Sequence, residues 1–402
     1  MTAHDDAPVN RAAVALQDAL VVLLAGTTDL PANEIIHMVS VAGRVLGAES
    51  ARMLIADYGL TSLQAVGLDG PTGLRQPIEG TMPGRCFARG DIVISTDEPG
   101  TVWIPLSEGS ERLGVLELHH AAWTDEVLAM VGPVIRVLVL TLVSKRRYTD
   151  VILRGRRSQR LSQAAEMQWD LLPPVTYTTG RVSVSGILEP AYAIGGDSFD
   201  YALNPDLVEF SLIDAVGHGL PAVMMSVAAI NSLRNARREG TDLETAYHDT
   251  GELIAELFGE SAFVTAQLGE LDLVTGQLSW LNAGHPLPLL VRDGSYTRAL
   301  RSRPSLPMGL GGQVAEITTE RLQPGDRVLF YTDGVIESRS LTDAEFGMER
   351  LADFLVRATL EGMSPNETVR RLGAAVLAYN GGTLRDDATL FLLEYHGPTA
   401  PT

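Results

Sequence analysis

The sequence predicts an α+β protein of two domains joined by a helical connector. Three observations lead there. The chain has 402 residues, more than one ordinary hydrophobic core accommodates. Short apolar runs bounded by Gly, Pro and Asp occur in two separate groups, as strands do. Between the groups lies a stretch of helical periodicity from Thr124 to Leu172, ended by Pro173–Pro174. Hydrophobic residues make up 45% and charged residues 20%, the composition of a folded chain.

Charge and cysteine content exclude several classes. The chain carries 31 Lys+Arg against 50 Asp+Glu, a net charge of −19. Such a balance repels nucleic acid and anionic membrane, so neither is an expected partner. Cys86 is the sole cysteine, which rules out an intramolecular disulfide and a thiolate metal cluster. Met1–Asn10 carries Asp5 and Asp6 and lacks a basic segment followed by an apolar one, so it does not read as a signal peptide. The run Val131–Val143 is interrupted by Gly132, Pro133 and Arg136 and reads as too short to span a bilayer. A cytoplasmic protein is expected.

In chain order, residues 1–12 read as a mobile terminus. Apolar residues recur at helical spacing over Ala13–Leu24 and Glu34–Leu46. Strand-like runs follow at Ala51–Ala56, Thr61–Gly67, Asp91–Ser95, Thr101–Leu106 and Arg112–His119, with a short helix predicted over Met82–Arg89 and stopped by Gly90. This order, with "GTMPGRCFARGDIVIS" and "WIPLSEGSERLGVLELHH", resembles a GAF domain over roughly Ala13–Val143. The resemblance implies a sensor domain of residues 13–145 that binds a small ligand or dimerises. Cys86 reads as a small hydrophobe on a buried helix face.

Thr124 caps the next predicted helix, with Asp125 and Glu126 in its first turn. A break is expected near Gly132–Pro133 or Gly155. Leu138, Leu142, Thr149 and Ile152 fall close to a heptad, so residues 146–172 are expected to form a helical linker with a short parallel coiled coil, and the protein to be a homodimer. Arg154, Arg156, Arg157 and Arg160 read as a solvated face.

Residues 173–397 contain a recurring local arrangement. "VEFSLIDAVGHG" alternates toward Asp214, and "RVLFYTDGVIES" runs into Asp333 and Gly334. "GGDSFD" sets Asp197 behind two glycines, and "RDDATLFLLEY" places Asp386 and Asp387 before a strand. Each carboxylate sits at a strand end beside a small residue that permits close backbone approach. Gathered at one mouth of a sheet sandwich, they would repel one another unless cations intervened, and oxygen-only ligands select magnesium or manganese over zinc.

With "QWDLLPP", "LNAGHPLPLL" and "LPMGL" added in order, this set resembles the PPM (protein phosphatase 2C-like) serine/threonine phosphatases, in their SpoIIE/RsbU branch. The resemblance implies an α-β-β-α sandwich with two divalent cations, manganese or magnesium, at one edge. By matching motifs, Asp214 would bridge both ions, the Ala215 carbonyl would help hold one, and Asp197, Asp333 and Asp386 would complete the set. Asp387 is expected just behind the ligands, and Asp200 to be structural. His218 stands four residues after Asp214 and is expected to shape the turn rather than act as general acid, and His285 to brace a strand end. The motifs identify no arginine for the substrate phosphate.

The implied activity is metal-dependent hydrolysis of phosphoserine or phosphothreonine, on a STAS-type anti-sigma-factor antagonist in a bacterial partner-switching pathway, under control of the GAF-like domain. The alternative is a non-catalytic or weakly catalytic scaffold that binds a partner protein. Residues 398–402 read as a tail.

Overall fold

Chain contacts divide the protein, a computed structural model, into two units, Met1–Gln159 and Arg160–Thr402. The structure describes residues 17–18, 20–25, 31, 34–108, 111–120, 123–193, 195–311, 315–340, 343–382, 384 and 386–398. The expectations for residues 1–12 and for the tail beyond 398 lie outside these residues.

In the first unit, residues 17–18 and 20–25 are helical. Then come α1 (His37–Val45), β1 (Ser50–Ala56), β2 (Ser62–Gly67), β3 (Gly70–Pro77), α2 (Met82–Arg89), β4 (Val93–Ile94), β5 (Thr101–Glu108), β6 (Glu111–His119), α3 (Asp125–Lys145) and α4 (Val151–Gly155). The strands form one antiparallel sheet in the order β3-β2-β1-β6-β5-β4. β3 was missing from the sequence expectation. It is an exposed edge strand rich in Gly and Pro, so it carries no alternating apolar signal. Thr81 caps α2 by accepting the Gly84 N–H at 3.1 Å. Cys86 is buried, and burial, reinforced by Asp91, pushes its thiol up to about 12.

Three expectations for the connector are corrected. α3 runs unbroken through Pro133, so of the two places at which a break was expected the helix is interrupted only at the other, where α4 ends at Gly155, after a further interruption at residues 146–150. With its continuation it gives an apolar helical stretch Val127–Tyr148 of 22 residues, long enough by length and composition to cross a membrane, and 39% of its most apolar window is buried. Val131, Val134, Ile135, Leu138, Val139 and Leu142 pack into this unit's own core with Ile152. The same burial removes the heptad positions Leu138, Leu142 and Ile152 from any coiled coil, because one apolar stripe cannot serve two partners. Residues 146–172 are not one helix: a 3-10 turn Arg146–Tyr148 and α4 belong to the first unit, and α5 (Gln163–Leu171) to the second.

The second unit continues with β7 (Thr176–Thr178), β8 (Val182–Glu189), β9 (Asp197–Leu203), β10 (Leu207–Ala215), α6 (Leu220–Glu239), α7 (Leu243–Phe258), β11 (Val264–Asp272), β12 (Gln277–Ala283), β13 (Leu289–Arg292) and β14 (Ser295–Ala299). It ends with β15 (Ile317–Arg321), β16 (Arg327–Tyr331), α8 (Asp333–Ile336), α9 (Gly347–Leu360), α10 (Pro365–Tyr379) and β17 (Ala388–Tyr395). Two antiparallel sheets result, β15-β12-β11-β10-β9 and β14-β13-β16-β17-β8-β7. Helices α6 and α7 cover the first, burying Ala222, Ala229, Ile230 and Ile254 against Ile213, Ala266, Leu268 and Leu281. α10 lies on β8 and β17, and α9 on β13 and β14. This is the α-β-β-α sandwich.

Aromatic rings join the sheets face to face. Phe210 lies 4.7 Å from Phe330 and 5.4 Å from Phe391, centroid to centroid, and Phe199 lies 5.7 Å from Phe391. Each such pair contributes about 0.5–1.5 kcal/mol beyond area burial. Gly186 opens room for them: a Cβ there would stand 2.4 Å from Phe199 Cζ.

Candidate active site

Strand alternation decides where each aspartate points. On β10, Ile213 and Ala215 face the helices, and Phe210, Leu212 and Asp214 face the opposing sheet. On β9, Asp197 and Phe199 face the opposing sheet, and Asp200 faces α6. Asp197 and Asp214 are direct cross-strand partners at the end of the first sheet. Asp333 opens α8 directly after β16, and Asp386 and Asp387 precede β17, so these come from the second sheet. Their approach depends on Gly334, where a Cβ would stand 1.9 Å from the Asp387 carbonyl oxygen.

Hydrogen bonds sort these carboxylates by role. Asp197 is buried, and its Oδ2 accepts the hydroxyls of Thr332 at 2.7 Å and Thr389 at 2.6 Å. The Thr389 N–H donates in turn to Thr332 Oγ1 at 2.9 Å. Asp387 Oδ2 accepts the N–H groups of Gly195 and Gly196, both at 2.7 Å, and so clamps the glycine loop before β9. The Ser226 hydroxyl of α6 donates to the Gly196 carbonyl on the same loop. Asp200 accepts from Arg234 Nε and Nη2 at 3.0 and 2.7 Å and from Arg237 Nη1 at 2.8 Å, tying β9 to α6. Asp386 Oδ1 accepts the Asp387 N–H at 2.9 Å, and among the described residues Asp214, Asp333 and Asp386 have fewer donors than Asp197, Asp200 or Asp387.

Electrostatics follow from that convergence. Burial raises Asp214 to about 7, helped by the negative charges of Asp333, Asp386 and Asp387. Burial, then the charges of Asp214 and Asp387, holds Asp197 well above the ordinary carboxylate range. Asp333 is raised by burial and by Asp386. Burial also raises Asp387, against the opposing pull of the loop amides.

Comparison with known proteins places this arrangement. Residues 204–396 match the family model described as Stage II sporulation protein E (SpoIIE). The C-terminal unit is a SpoIIE-type protein phosphatase 2C-like domain. The family match begins after Asp197 and Asp200, so those two positions rest on geometry. Protein IcfG of Synechocystis is 25% identical over 260 residues, covering 57% of this chain and 40% of the relative. Phosphoserine phosphatase RsbU of Bacillus subtilis is 22% identical over 247 residues, covering 60% of this chain and 72% of RsbU. This chain therefore spans less than half the length of the Synechocystis protein. Among solved structures, the SiaA-PP2C domain of Pseudomonas aeruginosa overlays with a TM-score of 0.50 at 21% identity, covering 58% of this chain and 94% of that domain, which supports the fold.

The SpoIIE-type site fits divalent cations by its donor chemistry. Asp214, Asp333 and Asp386 offer carboxylate oxygens, and the Ala215 carbonyl oxygen lies 2.8 Å from where a Gly196 Cβ would stand. Among the described residues no three acidic or imidazole side chains already converge at ligand distance. A hard divalent cation would offset the repulsion among carboxylates gathered in this way.

Two histidines fall outside the charged cluster. His218 is exposed in the loop before α6. His285 is buried, which pushes its imidazole down to about 3 and keeps it neutral. The His285 backbone N–H donates to Asn282 Oδ1 at 2.8 Å, and Asn282 Nδ2 donates to the His285 carbonyl at 2.9 Å, so the pair braces the strand end. Sequence reasoning overlooked Thr332, Thr389 and Ser226. The first two stand inside "YTDG" and "DDAT", where each follows or precedes an apolar strand end and was readable as a strand residue only.

Proposed function

We propose that the SpoIIE-type unit is a metal-dependent protein phosphatase acting on phosphoserine or phosphothreonine. The observation that supports this reading is the approach of Asp214, Asp333 and Asp386 from two different sheets to one mouth of the sandwich, where burial and the neighbouring negative charges raise Asp214 and Asp333. Asp214, Asp333 and Asp386, with the Ala215 carbonyl and the Oδ1 side of Asp197, would hold two cations, manganese or magnesium. Such cations, when bound, supply charge neutralisation at a phosphoryl group and acidify water for in-line attack.

The chain's own residues fix the geometry. Asp387 immobilises the Gly195–Gly196 loop, and Thr332 and Thr389 hold Asp197 so that its strand meets β16 and β17 at one level. Orientation of this kind contributes rate by removing motion before the chemical step.

The substrate we infer is a phosphorylated STAS-domain anti-sigma-factor antagonist in a partner-switching pathway. RsbU, described as a phosphoserine phosphatase, supports phosphoserine as the group removed. The N-terminal unit is read as a GAF-like sensor that binds a small ligand and dimerises, in a cytoplasmic protein without nucleic-acid or membrane partners.

The test is hydrolysis of para-nitrophenyl phosphate and of a phosphoserine peptide by the full chain with manganese, with and without EDTA. Manganese-restored turnover of both supports the reading. Absence of turnover on both, with manganese bound, overturns it in favour of a partner-binding scaffold.

A further inference from the structure

The carboxylate cluster leaves one requirement unmet. A phosphomonoester brings two negative charges to a mouth already lined with aspartates, and the sequence motifs supply no cationic side chain to receive it. Beside Asp386 the structure contains a cleft of about 250 Å3, lined by Gly334, Glu337, Ser338, Arg339, Asn380 and Asp386. That is about eight waters' worth of space, enough for a phosphoryl group and its ester oxygen. Among the described residues of this lining, Arg339 is the one with a cationic side chain.

Arg339 is held at its backbone and loosely held at its tip. Its N–H donates to Asn380 Oδ1 at 3.1 Å, and Asn380 Nδ2 donates to Ser338 Oγ at 2.5 Å. Asn380 is the C-terminal cap of α10, so the end of that helix fixes where the arginine begins. The guanidinium meets Glu345 Oε1 at 2.6 Å and Asp343 Oδ2 at 3.4 Å, and its Nη1 also donates to the Asp343 carbonyl oxygen at 3.3 Å. Those two carboxylates are 52% and 72% exposed, and exposed ion pairs of this kind contribute little net. A planar guanidinium prefers a dianionic phosphoryl group, which it engages with two parallel N–H donors.

We propose that Arg339 is the substrate-phosphate residue of this site: it exchanges Glu345 and Asp343 for the phosphoryl oxygens of the incoming phosphoserine or phosphothreonine, seated in the cleft beside Asp386. Arg339 binds and orients; no bond is made or broken at it. The proposal rests on the phosphatase reading for its substrate, but phosphate recognition by Arg339 is measurable apart from turnover.

The experiment uses the full chain loaded with manganese. Calorimetry measures binding of inorganic phosphate, and steady-state kinetics follow a phosphoserine peptide, for the parent protein, R339A, R339K and E345Q. R339A is expected to weaken phosphate binding and raise KM on the order of ten- to a hundredfold, the loss of one charge-assisted bidentate contact. Its kcat should move less, and its melting temperature and manganese affinity should stay with the parent. R339K should recover part of the binding. E345Q, which frees the guanidinium, should bind phosphate more tightly.

Unchanged phosphate affinity and KM in R339A overturn the proposal and leave the phosphatase reading standing. Equal weakening in R339A and E345Q also overturns it, because the ion pair would then serve only to shape the loop. Arg339-dependent phosphate binding without any hydrolysis by the parent sustains the proposal and removes the phosphatase reading instead.

Discussion

Replacing Asp200 by alanine separates the aspartate that holds the fold from those that face the catalytic mouth. Its carboxylate is 2% exposed and accepts three hydrogen bonds from Arg234 and Arg237, whose side chains are 19% and 15% exposed. Removing one partner of a buried ion pair costs about 3–5 kcal/mol, because the remaining charge keeps its desolvation penalty. The residual exposure of both arginines places this case at about 3 kcal/mol. For a domain of this size each kcal/mol shifts the melting temperature by about 2–4 °C, so the C-terminal unit should melt about 6–12 °C lower. Asp200 points at α6 and away from the cluster, so manganese affinity measured by calorimetry below the transition should remain within about threefold. A melting shift under about 2 °C would refute the energetic argument. A tenfold loss of manganese affinity at unchanged stability would refute the division of roles between the two faces of β9.

Asp333→Asn is the converse: it removes one charge from a crowded site, so the protein should fold normally and lose more than about a hundredfold in manganese-dependent turnover, since even residues behind metal ligands cost ten- to a hundredfold. Near-parental activity would contradict the site. The raised carboxyl groups set a pH dependence for the metal-free protein. A folded-state pKa above the unfolded one gives stability that is complete below about pH 4 and lost as pH rises through about 7 for Asp214. Melting in EDTA should therefore occur at lower temperature at pH 8 than at pH 5.5, while apparent manganese affinity should rise over the same interval as protons leave the ligands; the opposite slopes would contradict the assignment. Gly334→Ala would force a Cβ to 1.9 Å from the Asp387 carbonyl and should destabilise the C-terminal unit by about 3 kcal/mol in a denaturant titration. A variant as stable as the parent would show that this approach of α8 to β17 is not required.

The strand ends bearing aspartates were legible because each combines an apolar alternating run with a small residue, both local signals. The capped helix Met82–Arg89 was legible for the same reason. What escaped was non-local. Thr332 and Thr389 reach Asp197 across 135 and 192 residues of sequence, and a hydroxyl in a strand looks the same whether it bonds a carboxylate or water. The heptad reading failed because Leu138 and Leu142 satisfy a coiled-coil period and a domain-core stripe equally well; only the tertiary partner tells them apart. Pro133 sits within an unbroken α3, a case in which packing overrides the local preference against proline.

The carboxylate cluster is divided evenly by the chain: Asp197 and Asp214 stand on one sheet, Asp333 and Asp386 beside the other. A cut between residues 214 and 333 would therefore divide the four proposed ligands between two pieces, two on each. Cation affinity then becomes a gauge of how tightly the two sheets are docked. A destabilising change anywhere in the Phe199–Phe210–Phe330–Phe391 seam should register as weakened metal binding before it registers as unfolding, so a titration with manganese reads the integrity of a core that lies out of its sight.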